Sequence, residues 1–145
     1  MRLVVQRVDK AKVSVGNKVV GSINKGLFVL VGVKKGDTKE NAKNLATKLF
    51  KLRVMADKEG KMNLNVGDAK GEILIVSQFT LYADTSKGNR PSFIKAGDPK
   101  DAKVLYEHFV LESKKTDLKV ETGSFGDYMQ IEVELDGPVT ILLES

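Results

Sequence analysis

Ser77-Gln78-Phe79-Thr80 follows directly on the apolar run Ile73-Leu74-Ile75-Val76 and leads into Leu81-Tyr82. A continuous apolar run of that kind reads as a strand buried on both faces, which has no need of three polar side chains at its C-terminal end. Such groups either meet water at the rim of a sheet or do chemistry. The chemistry open to Ser77 and Thr80 is nucleophilic attack through a hydroxyl. A hydroxyl is a weak nucleophile at neutral pH unless a base stands beside it.

The chain offers few bases. His108 is the only histidine and there is no cysteine. His108 falls in a helical pattern but off its apolar stripe, which reads as a surface position. A Ser-His-Asp arrangement would have to use it, and the spacing gives no support for one. One histidine and no cysteine rule out a zinc held by two or three histidines, a cysteine-based zinc site and a thiol nucleophile. No GxxxxGK[ST] or GxGxxG stretch is present to cradle a nucleotide phosphate. The carboxylates are scattered, without an evident acid/base pair. No metal and no cofactor is expected. An enzyme built from this chain must rely on backbone donors, hydroxyls, or groups supplied by its substrate.

A second unusual stretch is Leu135-Asp136-Gly137-Pro138-Val139-Thr140. A Gly-Pro step between two strand-like patterns interrupts a ladder, because proline has no N–H to donate. The plain reading is a tight turn joining the last two strands. The cis or trans state of Pro138 is not written in the composition.

The elements that must position these stretches are mostly strands. Residues 2–8 alternate and predict a strand. Residues 12–15 and 18–23 flank Gly16-Asn17 and predict a hairpin with a two-residue turn. Asn24-Lys25-Gly26 is a second turn, and residues 27–33 predict a buried strand. Asp37 with Glu40 three residues later resembles a capping box. It opens a helix with Ala42, Leu45, Ala46, Leu49 and Phe50 on one face. After a polar stretch over 57–71, residues 72–83 predict the strongest strand. Asp98 suits an N-cap and Pro99 the first position of a second helix, with Ala102, Leu105, Tyr106, Phe109 and Val110 as its inner face. Three further strand patterns follow. The fold expected is a single α/β domain over residues 1–145, a mixed, strongly curved, barrel-like sheet with helices packed on its outside.

Composition sets the wider frame. A 145-residue chain with 41% apolar and 30% charged residues is ordinary for one globular domain. No stretch approaches the ~20 apolar residues of a membrane span, and the start, MRLVVQRV, lacks the long apolar segment of a signal peptide. A cytoplasmic protein is expected. The net charge of +5, from 24 basic against 19 acidic residues, leans mildly toward an anionic partner such as RNA. Three readings stay open on these residues alone: an enzyme, a non-catalytic RNA-binding β-module, and a small-ligand barrel. Neither an RNP-like aromatic pattern nor a concentrated basic stripe favours the second.

Four motifs narrow the choice: GKMNLNV at 60–66, SQFTL at 77–81, NRPSF at 89–93 and DGPVT at 136–140. With the opening QRV and the segment ETGSFGDYMQ, they resemble the D-aminoacyl-tRNA deacylase family of the bacterial and eukaryotic type, first described as D-tyrosyl-tRNA deacylase. The resemblance covers essentially the whole chain with all motifs in order. It implies a homodimeric hydrolase of translation quality control. Such an enzyme cleaves the ester joining a D-amino acid to the 3′-terminal adenosine of tRNA. By that resemblance, Ser77, Gln78, Phe79 and Thr80 form the catalytic strand end. A Gly137–Pro138 step with a cis bond reaches into the pocket of the other subunit, and Met129 joins it on the substrate- and chirality-selecting side. Arg7 would hold the Gly-Pro loop in place. The chain departs from the family's form at Leu135, where Asn ordinarily precedes Asp-Gly-Pro.

The chemistry implied suits the residues. An aminoacyl ester is already activated, so its hydrolysis needs an oriented water and a stabilised oxyanion. Backbone N–H groups of Phe79 and Thr80 are the expected donors, each worth about 10²–10³ in rate. An attacking water assisted by the ribose 2′-OH is favoured over a covalent acyl-threonine at Thr80. Phe79 either stacks on the terminal adenine or packs in the core.

Overall fold

One long strand, β1 (Arg2–Val15), holds the sheet together. On one side it pairs first with β3 (Gly26–Gly32) and then, in its second half, with β2 (Lys18–Ile23). On its other side it pairs along most of its length with β8 (Gln130–Glu144). β3 continues the sheet in parallel to β6 (Glu72–Ser77), and β6 in parallel to β7 (Val120–Thr122). A short antiparallel pair, β4 (Met55–Ala56) and β5 (Met62–Leu64), lies apart from this sheet. The computed structural model describes residues 1–145.

The sheet is mixed and curls into a nearly closed barrel. Gly21 on β2 marks the closing approach: a Cβ there would stand 2.5 Å from the Thr122 carbonyl of β7. Alternation then creates two cores. On β3 and β6, Leu27, Val29, Val31, Ile73 and Ile75 face the helices, whereas Phe28, Leu74 and Val76 face the barrel interior. The helices are α1 (Lys39–Lys51) and α2 (Pro99–Ser113), which pack against each other over the larger core. Ala42, Leu45, Ala46 and Leu49 are buried from α1, and Tyr106 and Phe109 from α2.

β1 serves both cores. Leu3 and Val5 join the helix-side core, and Val8, Ala11 and Val13 join the interior. Val8 and Ala11 are an odd spacing apart, so plain alternation would send them to opposite faces. The register against β8 slips between Val8 and Lys10, and this bulge returns the second half of the strand to the inner face. The expected strand over 2–8 and the first arm of the hairpin are therefore one bulged strand. The hairpin turn at Gly16-Asn17 is as the sequence predicts.

Three expectations need correction. The N-cap of α1 is Thr38, whose hydroxyl accepts the Asn41 N–H while the Asn41 side chain accepts the Thr38 N–H at 2.8 Å. Asp37, the cap expected, is drawn to stronger partners: the Met1 ammonium at 2.6 Å and the Lys34 N–H at 2.7 Å. The strand expected over 72–83 ends at Ser77. Its neighbour β3 ends at Gly32, so the ladder has no partner beyond the bond from Gln78 N–H to Val31 O at 2.8 Å, and Phe79–Tyr82 coils into a 3₁₀ turn. Finally, Gly137-Pro138 is no turn between two strands. β8 runs continuously through it.

At α2 the sequence expectation stands: Asp98 caps with its carboxylate on the Lys100 N–H at 3.0 Å, and Pro99 follows at the first helical position. No helix is long and apolar enough to cross a membrane.

Candidate active site

The 3₁₀ turn is held from beneath and behind. At Gly32 an added Cβ would stand 3.0 Å from the Leu81 Cβ and 3.2 Å from the Tyr82 ring, so only glycine lets the turn lie this close on β3. The Arg2 guanidinium donates to the Leu81 carbonyl at 2.7 Å, lies over the Tyr82 ring at 5.0 Å and pairs with Glu144. Burial, together with Asp37 nearby, pushes the Tyr82 phenol up to about 12.

This support leaves two donors unspent. Leu81 and Ala83 donate back to Gln78 and Thr80 within the turn, but no side chain and no loop carbonyl accepts from the N–H groups of Phe79 and Thr80. They are the first amides of the turn, where helical bonding has no acceptor to offer.

Beside them lies a cavity of about 580 Å³. Ser77, Gln78 and Phe79 line it, together with Ala96 and Gly97 and the segment Phe125, Gly126, Asp127, Tyr128 and Met129. Tyr106 lies in the lining from α2, its hydroxyl donating to the Ile75 carbonyl at 3.0 Å. Desolvation raises that phenol still further than Tyr82. Met129 is fixed by close packing: its sulfur accepts the Ser124 N–H at 3.4 Å, and a Cβ on Gly123 would approach it to 2.8 Å. Phe79 is 59% exposed and meets Phe93 edge-on, with ring centroids 4.9 Å apart. Of the two readings for Phe79, core packing is excluded by that exposure.

Thr80 is exposed and lies outside the cavity lining. Its hydroxyl accepts from the Gln78 side-chain amide, which is no base. His108 lies on α2, half-buried, with Nε2 3.8 Å from Glu112, and takes no part in the cavity. Asp127 is the one carboxylate in the lining, and the Ser124 hydroxyl donates to it. No group of three or more His, Cys, Asp or Glu stands together to hold a metal.

The other predicted residues lie elsewhere in the chain. Gln6 pairs with Thr140 and Val8 with Leu135, so Arg7 alone faces the four residues Asp136–Val139. The extra residues of β8 form an exposed excursion, and the Gly137–Pro138 bond within it is cis. Arg7 is only 11% exposed and fills the space behind. It donates to the Asp136 carbonyl at 3.2 Å, pairs with the Asp136 carboxylate at 2.9 Å and donates to the Val54 carbonyl at 2.9 Å. Within one chain the structure brings Ser77, Gln78, Phe79 and Met129 to one cavity, and leaves Gly137 and Pro138 outside it. Sequence reasoning had placed Tyr106 only in the core and gave Phe93 and Tyr128 no role; the aromatic letters of NRPSF and GDYMQ were the available signal.

The chain is similar to known proteins in both sequence and shape. The family described as D-Tyr-tRNA(Tyr) deacylase matches residues 4–144. A protein of Aquifex aeolicus named D-aminoacyl-tRNA deacylase is 56% identical over 145 residues, covering 100% of this chain and 98% of that one. One of Thermosipho melanesiensis with the same name is 54% identical over 146 residues, with 100% and 97% covered. The solved structure of a protein described as c-Myc DNA unwinding element binding protein superposes with a TM-score of 0.93 at 42% identity, covering 100% of this chain and 99% of that one. Another, described as a probable eukaryotic D-amino acid tRNA deacylase, shares the fold with a TM-score of 0.83 at 19% identity, over 99% and 98% of the two chains. The match through nearly every residue, and identity above one half over whole chains, place this chain in the D-Tyr-tRNA(Tyr) deacylase family.

Proposed function

We propose that this protein hydrolyses the ester joining a D-amino acid to the 3′-terminal adenosine of tRNA, releasing free D-amino acid and tRNA. The observation that carries the reading is the pair of N–H groups of Phe79 and Thr80, the first amides of a helical turn beside the cavity, in a chain whose relatives bear that activity in their names. A water attacks the ester carbonyl. The carbonyl oxygen becomes an oxyanion that accepts from the two amides, and the intermediate collapses with departure of the ribose oxygen, which takes up a proton. Each donor contributes about 10²–10³ in rate. The substrate's own 2′-OH assists in moving the proton, because neither His108 nor Thr80 is placed as a base. The exposed Phe79 ring, backed by Phe93, is a platform for the terminal adenine.

Selection of the D-isomer rests on a second copy of the chain. Main-chain carbonyls hold the α-amino group, and the side chain of an L-residue so held runs into the Gly137-Pro138 backbone of that copy. Discrimination then comes from a clash more than from attraction, which lets many D-side chains through. In support of a homodimer, β8 pairs only with β1, and Ile131, Leu135 and Leu142 along it are exposed. An enzyme acting on charged tRNA works in the cytoplasm.

The test is direct. Purified protein releases D-tyrosine from D-Tyr-tRNA and leaves L-Tyr-tRNA intact. Absence of turnover across a range of pH and salt would overturn the reading.

A further inference from the structure

We infer that the loop 84–92 is a preformed phosphate clamp, with Lys87 and Arg90 gripping the tRNA backbone next to the nucleotide whose ester enters the cavity. The inference rests on the deacylase reading of that cavity and assigns part of the tRNA's docking surface.

The loop begins two residues after the 3₁₀ turn. Asp84 and Ser92 pair as an antiparallel bridge, N–H to carbonyl at 2.8 Å and 2.9 Å, which clasps its base. Inside, the Asp84 carboxylate accepts from the Ser86 amide at 3.0 Å and the Ser86 hydroxyl at 2.7 Å, and the Gly88 N–H reaches the Thr85 carbonyl at 3.3 Å. Gly88 takes a φ of +140° that an L side chain rarely adopts, so the bend at the tip calls for glycine. Ordering has been met within the loop itself, which is the condition for tight recognition at low entropic loss.

The loop carries more free positive charge than negative. Its one carboxylate, Asp84, is ion-paired to Lys95 at 2.9 Å, and the Ser86 bonds and Lys95 hold it well below the usual carboxylate range. Lys87 and Arg90 have no such partner; they are exposed and carry two uncompensated charges. The loop's exit strand is stitched to another basic stretch: Lys34 bridges Ala96, and the Lys35 N–H donates to the Lys95 carbonyl at 3.1 Å. Neither Lys34 nor Lys35 has a carboxylate partner for its ammonium group.

Position completes the case. Phe93, one residue past the clasp, packs edge-on against Phe79, so the end of the loop rests on a residue that lines the cavity. Seven residues lie between Asp84 and Ser92, which keeps the tip within about 14 Å of the clasp. A polyanion whose end nucleotide rests on Phe79 passes this tip. Ile94, 76% exposed, and Tyr128, 89% exposed in the cavity lining, add apolar and stacking surface for unpaired bases.

The experiment compares two substrates, D-Tyr-tRNA and the D-tyrosyl ester of adenosine, which has the same ester and base but no phosphates. The double variant Lys87→Ala/Arg90→Ala is expected to lose about tenfold or more in kcat/KM on the tRNA at low salt and to keep full activity on the adenosine ester. The slope of log kcat/KM against log salt should flatten by about 0.7 for each lost contact to a single strand. Lys18→Ala/Lys58→Ala removes the same net charge from elsewhere on the exposed surface and is expected to change neither. Equal losses on both substrates, no loss on the tRNA, or an equal effect of the control pair would overturn the clamp. Failure of the unaltered protein to cleave either substrate would instead remove the deacylase reading beneath it.

Discussion

Thr80→Ala separates the two routes of ester cleavage. The Thr80 hydroxyl accepts one hydrogen bond from the Gln78 amide, is exposed and stands outside the cavity lining. Its removal leaves the Gln78 amide facing water, so no buried group is orphaned. The backbone N–H of residue 80, the proposed oxyanion donor, survives the change. The loss is then that of one neutral hydrogen bond, about 1 kcal/mol, which converts to about fivefold in rate. Were the hydroxyl the attacking nucleophile, its removal would cost on the order of 10⁴-fold or more. Single-turnover release of D-tyrosine from D-Tyr-tRNA reads the difference, with the thermal unfolding midpoint as the control for folding. A loss above about 10³-fold in a fully folded variant, with a D-tyrosyl adduct on Thr80 in the unaltered protein by intact mass, would refute the water route and this account of the turn.

Three further outcomes follow from the same geometry. Asp127→Asn, which removes the one carboxylate of the cavity lining, is expected to lower kcat by less than about tenfold, the range of a polar contact and below the 10²–10⁴ of a general base; a larger loss with a flattened pH profile would make Asp127 the base. Gly32→Ala puts a Cβ 3.0 Å from Leu81 and 3.3 Å from the Gln78 carbonyl. It is expected to lower stability by about 1–3 kcal/mol in urea unfolding and to lower activity further than that loss explains, because the turn must shift. Stability should also fall in alkali. Burial raises the Tyr82 phenol to about 12 and Tyr106 beyond it, so the folded protein favours the neutral phenols; their contribution is whole below pH ~10 and is lost as pH climbs through ~12. The melting temperature followed over that window should drop less steeply in Tyr82→Phe.

Local signals in the sequence located most of the elements. The Gly16-Asn17 hairpin, the Asp98-Pro99 helix start and the inner faces of both helices depend on residues a few positions apart, and they fold as their spacing predicts. The errors fall where a distant partner decides. Nothing near Asp37 announces that the Met1 ammonium will take its carboxylate and leave the cap to Thr38. Nothing in Phe79-Thr80-Leu81-Tyr82 says that β3 stops at Gly32 and ends the ladder these residues would have joined.

The Gly-Pro stretch shows the same limit most clearly. Proline breaks a ladder, so a turn was the natural local reading. What keeps β8 straight through the interruption is Arg7, whose guanidinium spans the gap and binds Asp136 and Val54 from behind. One strand position then opposes four, and the surplus chain stands outside the cavity lining of its own chain. An excursion held this firmly from within lies on a strand whose outer edge is unpaired, which leaves it open to something outside the chain. In the proposed homodimer, that something is the cavity beside Ser77, Gln78 and Phe79 in the second copy. The strand end and the Gly-Pro step, the two stretches that a purely structural reading leaves unexplained, then become two halves of one site.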